Sequence, residues 1–262
     1  IAASPAMAPY IQEQIHAQYP DAEIEEVDEY NIFPRQGVAL GAYLKLAKPY
    51  GYPIKTYKKM ESDPLSAVTN PLSQIEETDS AAIQFTIRSA HKKWRRKGLG
   101  IAKQAQRGQG FEKQSGMLGK IGKEFAQAAV GGGSSPQQQP QQPVQLSQMD
   151  QELVRSIEEK SSKAGMDVNM RVVVASTDQL RAKRYLDNIA NAFSQYNLYQ
   201  YGNTFVAEVP SKQPRLIRDF IYRSFNESRG FVLNTEEMAS VFHFPLPGME
   251  TPGIHWLAAR QA

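Results

Sequence analysis

The segment Gly131–Pro143, GGGSSPQQQPQQP, constrains this chain more than any other. Its Gly, Ser, Pro and Gln residues cannot bury enough apolar surface to offset the entropy of ordering them, so it reads as a flexible tether. A chain of 262 residues is long enough for two ordinary domains, and the tether leaves patterned sequence on both sides. We therefore expect an α+β protein of two ferredoxin-like (split βαβ) lobes, with helices on one face of small sheets. A long disordered linker, first basic and then Gln/Pro-rich, would join them. The boundaries are 1–90 for a first lobe truncated at its start, 91–145 for the linker, 146–245 for the second lobe, and 246–262 for an extended connector.

The patterning on each side supports that class. Pro9 opens a helical stripe of Ile11, Ile15 and Tyr19 that Pro20-Asp21 closes, and a short strand is expected over Glu23–Val27. Val38, Leu40, Ala42, Leu44 and Leu46 alternate at period two, as do Ile83, Phe85 and Ile87, which predicts two strands with one buried face each. Between them Asp63 is placed as N-cap and Pro64 at the first helical position, ahead of Leu65, Val68, Leu72 and Ile75. Beyond the tether, Met149, Leu153 and Ile157 mark a helix ending near Gly165, and Val168–Val174 alternate as a strand. Asp178 caps the next helix, whose stripe runs from Leu180 to Tyr196; Phe205–Val209 is a further strand, and Pro214 opens another helix. Asn234 and Glu237 make a capping box for a last short helix through Phe242. PYIQEQIHAQY from Pro9 and PRLIRDFIYRSF from Pro214 share their opening proline, isoleucine spacing and closing aromatic, suggesting an internal duplication.

Charge is segregated along the chain. Residues 1–87 hold 6 Lys/Arg against 12 Asp/Glu, whereas residues 88–124 hold 11 against 2. The cluster Lys92, Lys93, Trp94, Arg95, Arg96, Lys97, followed by Lys103 and Arg107, combines clustered cations with one aromatic. It is the candidate nucleic-acid-binding stretch: Lys and Arg would release counterions from phosphates, and Trp94 would stack on a base. A solvated tether, or a segment lying on the acidic first lobe or an anionic membrane, are the competing readings.

Several chemistries lack their signature. Absence of cysteine rules out disulfides, thiolate zinc sites and cysteine nucleophiles. Gly116–Glu124, GMLGKIGKE, fails as a P-loop because its first glycine is misplaced and Glu124 stands where a magnesium-binding hydroxyl is needed. Gly98-Leu99-Gly100 begins like a dinucleotide fingerprint, but Lys103 holds the third glycine position. His16, His91, His243 and His255 never pair at metal-ligand spacing, and no GxSxG elbow is present. We therefore expect no catalytic residue, no cofactor and no metal, and no small-molecule substrate. An enzyme with a site that carries no motif is the alternative from another class. No apolar run is long enough to span a bilayer. The start at Ile1, with no basic or apolar leader, points to an excised or processed piece and a cytoplasmic location.

Three stretches carry a family resemblance: YIQEQIHAQYPDAEIEEVDEY from Tyr10, PIKTYKKMESDPLSAVTNPLSQIEETDSAAIQFTI from Pro53, and FVLNTEEMASVFHFP with TPGIHWLAAR near the end. They resemble the amino-terminal region of HerA-like and type IV secretion, or conjugative transfer, ATPases of candidate-phylum bacteria; NTEEMASVFHFP is the most specific phrase. The resemblance implies a parent protein that hydrolyses ATP to move DNA or protein, at the inner face of the membrane as part of a secretion complex. This portion would supply a non-catalytic docking or assembly surface. Its expected partners are the downstream ATPase domain of the same polypeptide, further copies or secretion-complex subunits, and DNA through the basic stretch. It also implies a strand and helix before Ile1, whose loss would leave an unpaired sheet edge in the first lobe.

Overall fold

A computed structural model describes residues 1–27, 31–34, 36–106 and 146–244. Helix α1 (Ala8–Gln18) carries proline in its first turn and buries none of its residues. Strand β1 (Val38–Leu46), helix α2 (Pro64–Ser73) and strand β2 (Ser80–Ser89) follow. Helices α3 (Lys93–Gln106) and α4 (Gln148–Ser162) lie between β2 and strand β3 (Gly165–Ser176). The chain continues through α5 (Gln179–Ala192), β4 (Phe205–Glu208), α6 (Gln213–Ile221), β5 (Phe231–Asn234) and α7 (Thr235–Val241).

Local chemistry sets these ends. The Asp63 carboxylate accepts from Leu65 N at 2.8 Å with Pro64 at the first helical position, so α2 starts where a cap and a preset φ coincide. Asp178 caps α5 through Arg181 N, and Ser147 caps α4 through Asp150 N. Both arms of the Asn234/Glu237 capping box form at α7.

The protein is α+β, with one antiparallel sheet of five strands in the order β2-β3-β1-β4 and β5 on β3. β3 is central: β2 pairs along one edge from Ser80↔Ala175 to Ser89↔Met166. Its other edge is shared, β1 pairing with Met170–Ser176 and β5 with Gly165–Val168. Because β3 runs antiparallel to β1 and β2, those two are parallel and their α2 connection is a split βαβ unit. β3-α5-β4 is a second, with β1 inserted between its strands. The two units interlock as one ferredoxin-like fold.

Here the structure differs from the expectation of a sheet in each half. Each half supplies one βαβ unit with a gap between its parallel strands, and the partner half fills it. The gap between the two parallel first-half strands is occupied by β3, whose backbone hydrogen bonds satisfy both. Three smaller expectations fail too. Glu23–Val27 is not a strand. The proposed equivalence of Pro9–Tyr19 and Pro214–Phe225 does not hold, since Ile1–Ala3 are not a strand and α1 buries none of its residues while α6 buries Leu216 and Phe220. Residues 93–106, placed in the flexible linker, are helical; residues 107–145 and the connector from 246 lie outside the described residues.

Alternation sorts the sheet residues into two faces. Ala42, Leu44, Val168, Met170, Val172 and Val174 meet Val68 of α2 and Ala182, Leu186 and Ile189 of α5 in the main core. Tyr43 and Val173 point the other way, against Leu216 and Phe220 of α6. On that second face Arg171 is fully buried and donates to Gln84 Oε1 at 2.6 Å, Thr86 Oγ1 at 3.2 Å and the Ser224 carbonyl. It holds β2 and the turn after α6 to the sheet, and burial pushes its pKa below the ordinary arginine value.

Candidate nucleic-acid interface

Helix α3 follows β2 after a short turn in which Trp94 N donates to His91 O at 3.1 Å. Its buried residues are Trp94, Gly98, Ala102 and Ala105, spaced four, four and three, one stripe of a helix. That stripe packs on Leu153, Val154 and Ile157 of α4. Two glycines permit the approach. A Cβ at Gly98 would stand 2.8 Å from Ser161 Oγ, and one at Gly165 would collide with the Trp94 indole.

Most of the exposed residues in the first turns of α3 are basic. Lys92, Lys93, Arg95, Arg96, Lys97 and Lys103 are all exposed, and among the described residues none of them is in an ion pair. No acidic residue lies on the helix. Two cations have local contacts that orient rather than neutralise them: Arg95 donates to Lys163 O at 3.0 Å, and Lys97 Nζ sits 4.8 Å from the centroid of the Tyr50 ring.

Six of the eight sequence-derived candidates therefore share one surface. Trp94 is corrected: at 4% exposure it is a packing residue that anchors α3, unavailable to stack on a base. Its large ring is better satisfied by the groove that Gly165 leaves open than by solvent. Arg107 lies outside the described residues. The spacing of Trp94, Gly98, Ala102 and Ala105 was visible in the sequence, but small residues give a weak apolar signal and the surrounding cations mask it.

A second charged cluster escaped the sequence reading. Lys160 of α4 is buried, with Glu237 Oε2 at 2.9 Å and the carbonyls of Tyr52 and Val232 each at 3.3 Å. Three acceptors match its three N–H groups. Glu237 in turn accepts from Ile54 N and Asn234 N, both at 3.0 Å. Burial drives the Lys160 pKa down, opposed by the charge and hydrogen bond of Glu237. A buried lysine of lowered pKa is a common catalytic feature. Here every donor is occupied, so the pair is a structural knot tying α4, α7 and the 48–56 loop together. Beside it the partly buried Glu236 accepts from Lys163, Lys58 and Thr56, which outweighs desolvation and lowers its pKa to about 2.

Among the described residues no group of three or more His, Asp or Glu could hold a metal, and no helix is long and apolar enough to cross a membrane. The four-histidine question reduces to His16, His91 and His243; His243 Nε2 contacts Asp63 Oδ1 at 2.9 Å and so closes α7 onto the α2 cap. A separate apolar surface lies on α6, where Pro214, Ile217, Ile221 and Tyr222 border Ala39, with Ile221 51% and Tyr222 74% exposed.

The chain belongs to the family DUF8128, a domain of unknown function, which it matches over residues 1–257. No curated protein and no solved structure matches it.

Proposed function

We propose that this chain is a binding module whose α3 face grips the phosphate backbone of nucleic acid, independently of sequence. The observation that carries the reading is the set of six exposed cations without an ion-pair partner among the described residues, Lys92 just before α3 and five on it, with the opposite stripe of the helix fixed to the fold. Free cations release condensed counterions from DNA, and a rigid mount lowers the entropy lost on binding. With Trp94 buried, recognition relies on charge, which suits a protein that must hold any sequence. Placement beside a HerA-like or type IV secretion motor, on the cytoplasmic side of a membrane, rests on the resemblance of NTEEMASVFHFP and its companion stretches. In that setting the chain docks and positions, and turnover of ATP by the isolated chain would contradict it.

The test is fluorescence anisotropy with duplex and single-stranded DNA at two salt concentrations. Replacing Lys92, Lys93, Arg95, Arg96 and Lys97 with Gln should weaken binding about a hundredfold near physiological salt, and flatten the salt dependence by about 4 in log–log slope. Binding that persists with the same slope overturns the reading. A second reading, protein docking, is favoured by the apolar α6 surface around Ile221 and Tyr222; it would give a complex with motor or secretion subunits that is insensitive to salt.

A further inference from the structure

The two edges of the sheet are guarded very differently. The outer edge belongs at one side to β4, only four residues long, where Glu208 is paired with both Lys45 and Arg229 and Pro210 follows. A short, charged edge with proline beside it is a standard defence against edge-to-edge pairing. At the other side lies β2, SAAIQFTIRS, ten residues with one charge, no proline and no glycine. It pairs with β3 along its inner side, and among the described residues no second strand takes its outer side. Ile87 remains 46% exposed. Such an edge presents a row of free N–H and C=O groups to any strand that fits.

Charge selects the occupant. Ahead of β2 stand Glu76, Glu77 and Asp79, and behind it stand His91, Lys92 and Lys93. Glu76 and Asp79 already meet Arg181, and Arg88 meets Asp167 and Glu227. Glu77, Lys92 and Lys93 have no ion-pair partner among the described residues. If two copies of β2 pair antiparallel about their centres, the acidic approach to each strand, with Glu77, lies beside the basic exit of the other, with Lys92 and Lys93. The complementarity occurs twice by symmetry. A parallel pairing would set like charges together and is disfavoured.

We propose that the β2 edge is the interface of a symmetric dimer of this chain, in which two five-stranded sheets join into one antiparallel sheet across the two-fold axis. This does not rest on the nucleic-acid reading.

The experiment is light scattering coupled to size exclusion on the full chain without nucleic acid. The wild type should run as a dimer. Glu77→Lys and Lys92→Glu should each raise the dissociation constant about tenfold, since both symmetric contacts turn repulsive, and the double reversal should restore it. Both positions are exposed, so the variants should keep their circular dichroism and melting midpoint. Hydrogen exchange supplies a second readout: alternate β2 amides should be protected in the wild type and exchange fast in Glu77→Lys, because an edge strand bonds only every other N–H inward. A monomeric wild type overturns the proposal. So does a dimer indifferent to either reversal, or a double variant no tighter than the singles.

Discussion

Lys160 and the cations of α3 are similar residues on adjacent helices, put to opposite uses. Lys160 lies inside the fold with three acceptors for its three donors. Lys92, Lys93, Arg96 and Lys103 lie outside it with no ion-pair partner among the described residues. Charge that a fold neutralises internally serves the fold, since desolvation makes an uncompensated buried ion prohibitive. Charge that a fold leaves unpaired on a rigid surface is available to another molecule.

The comparison can be broken at its structural side first. Glu237→Ala strands Lys160 in the interior and leaves Ile54 N and Asn234 N without their acceptor, and should cost about 4 kcal/mol of stability in chemical denaturation. Lys160→Met combined with Glu237→Gln should cost less than Glu237→Ala alone, because no buried charge is then left single. An undiminished midpoint in Glu237→Ala would show that water reaches the pair.

The mount of the basic face comes next. Gly165→Ala places a Cβ where the Trp94 indole lies and should cost about 2 kcal/mol through overpacking. In a Trp256→Phe background the remaining tryptophan emission should shift to the red as Trp94 is displaced. An unshifted spectrum with unchanged stability would mean that α3 adjusts freely, and the rigid-mount argument would fall.

Acid sharpens the contrast further. Glu236 keeps its charge down to about 2 in the folded chain against an ordinary 4.5. The stabilisation from its bonds to Lys163, Lys58 and Thr56 is therefore complete above the unfolded value and is lost as pH falls from about 4.5 towards 2. Glu236→Gln should be less stable than the parent at neutral pH and should lose less on acidification through that window, followed by circular dichroism. Parallel acid curves for the two proteins would contradict the assignment. The smallest expected effect is on the other side of the comparison. The five Gln substitutions at Lys92, Lys93, Arg95, Arg96 and Lys97 that weaken DNA binding should lower the melting midpoint only slightly, since of these side chains only Arg95, through Lys163 O, and Lys97, over the Tyr50 ring, touch the fold.

Much of this architecture was legible in the residues. Asp63 with Pro64, Asp178, and Asn234 with Glu237 announced three helix starts because a cap is a contact across two or three residues. The alternation in β1, β2 and β3 announced strands because one face of each is buried. The basic cluster was equally plain, and its six described cations are all exposed. Trp94 was misjudged because its neighbours in sequence are charged, whereas in space its indole lies against Gly165 at the start of β3. β5, four residues long, was too short to show a period.

What the sequence determined by itself is local: where helices begin, which strand residues point inward, and that one stretch is strongly basic. These follow from hydrogen bonds and side-chain periods confined to a few residues. Only the tertiary structure decided that β3 enters the gap between β1 and β2, that Arg171 and Lys160 are buried with their acceptors, and that α3 is a mounted helix. Those outcomes depend on pairing segments from opposite ends of a long connection. Any of several strands could satisfy the same alternation, and the choice is made by the combined burial of both halves in one core.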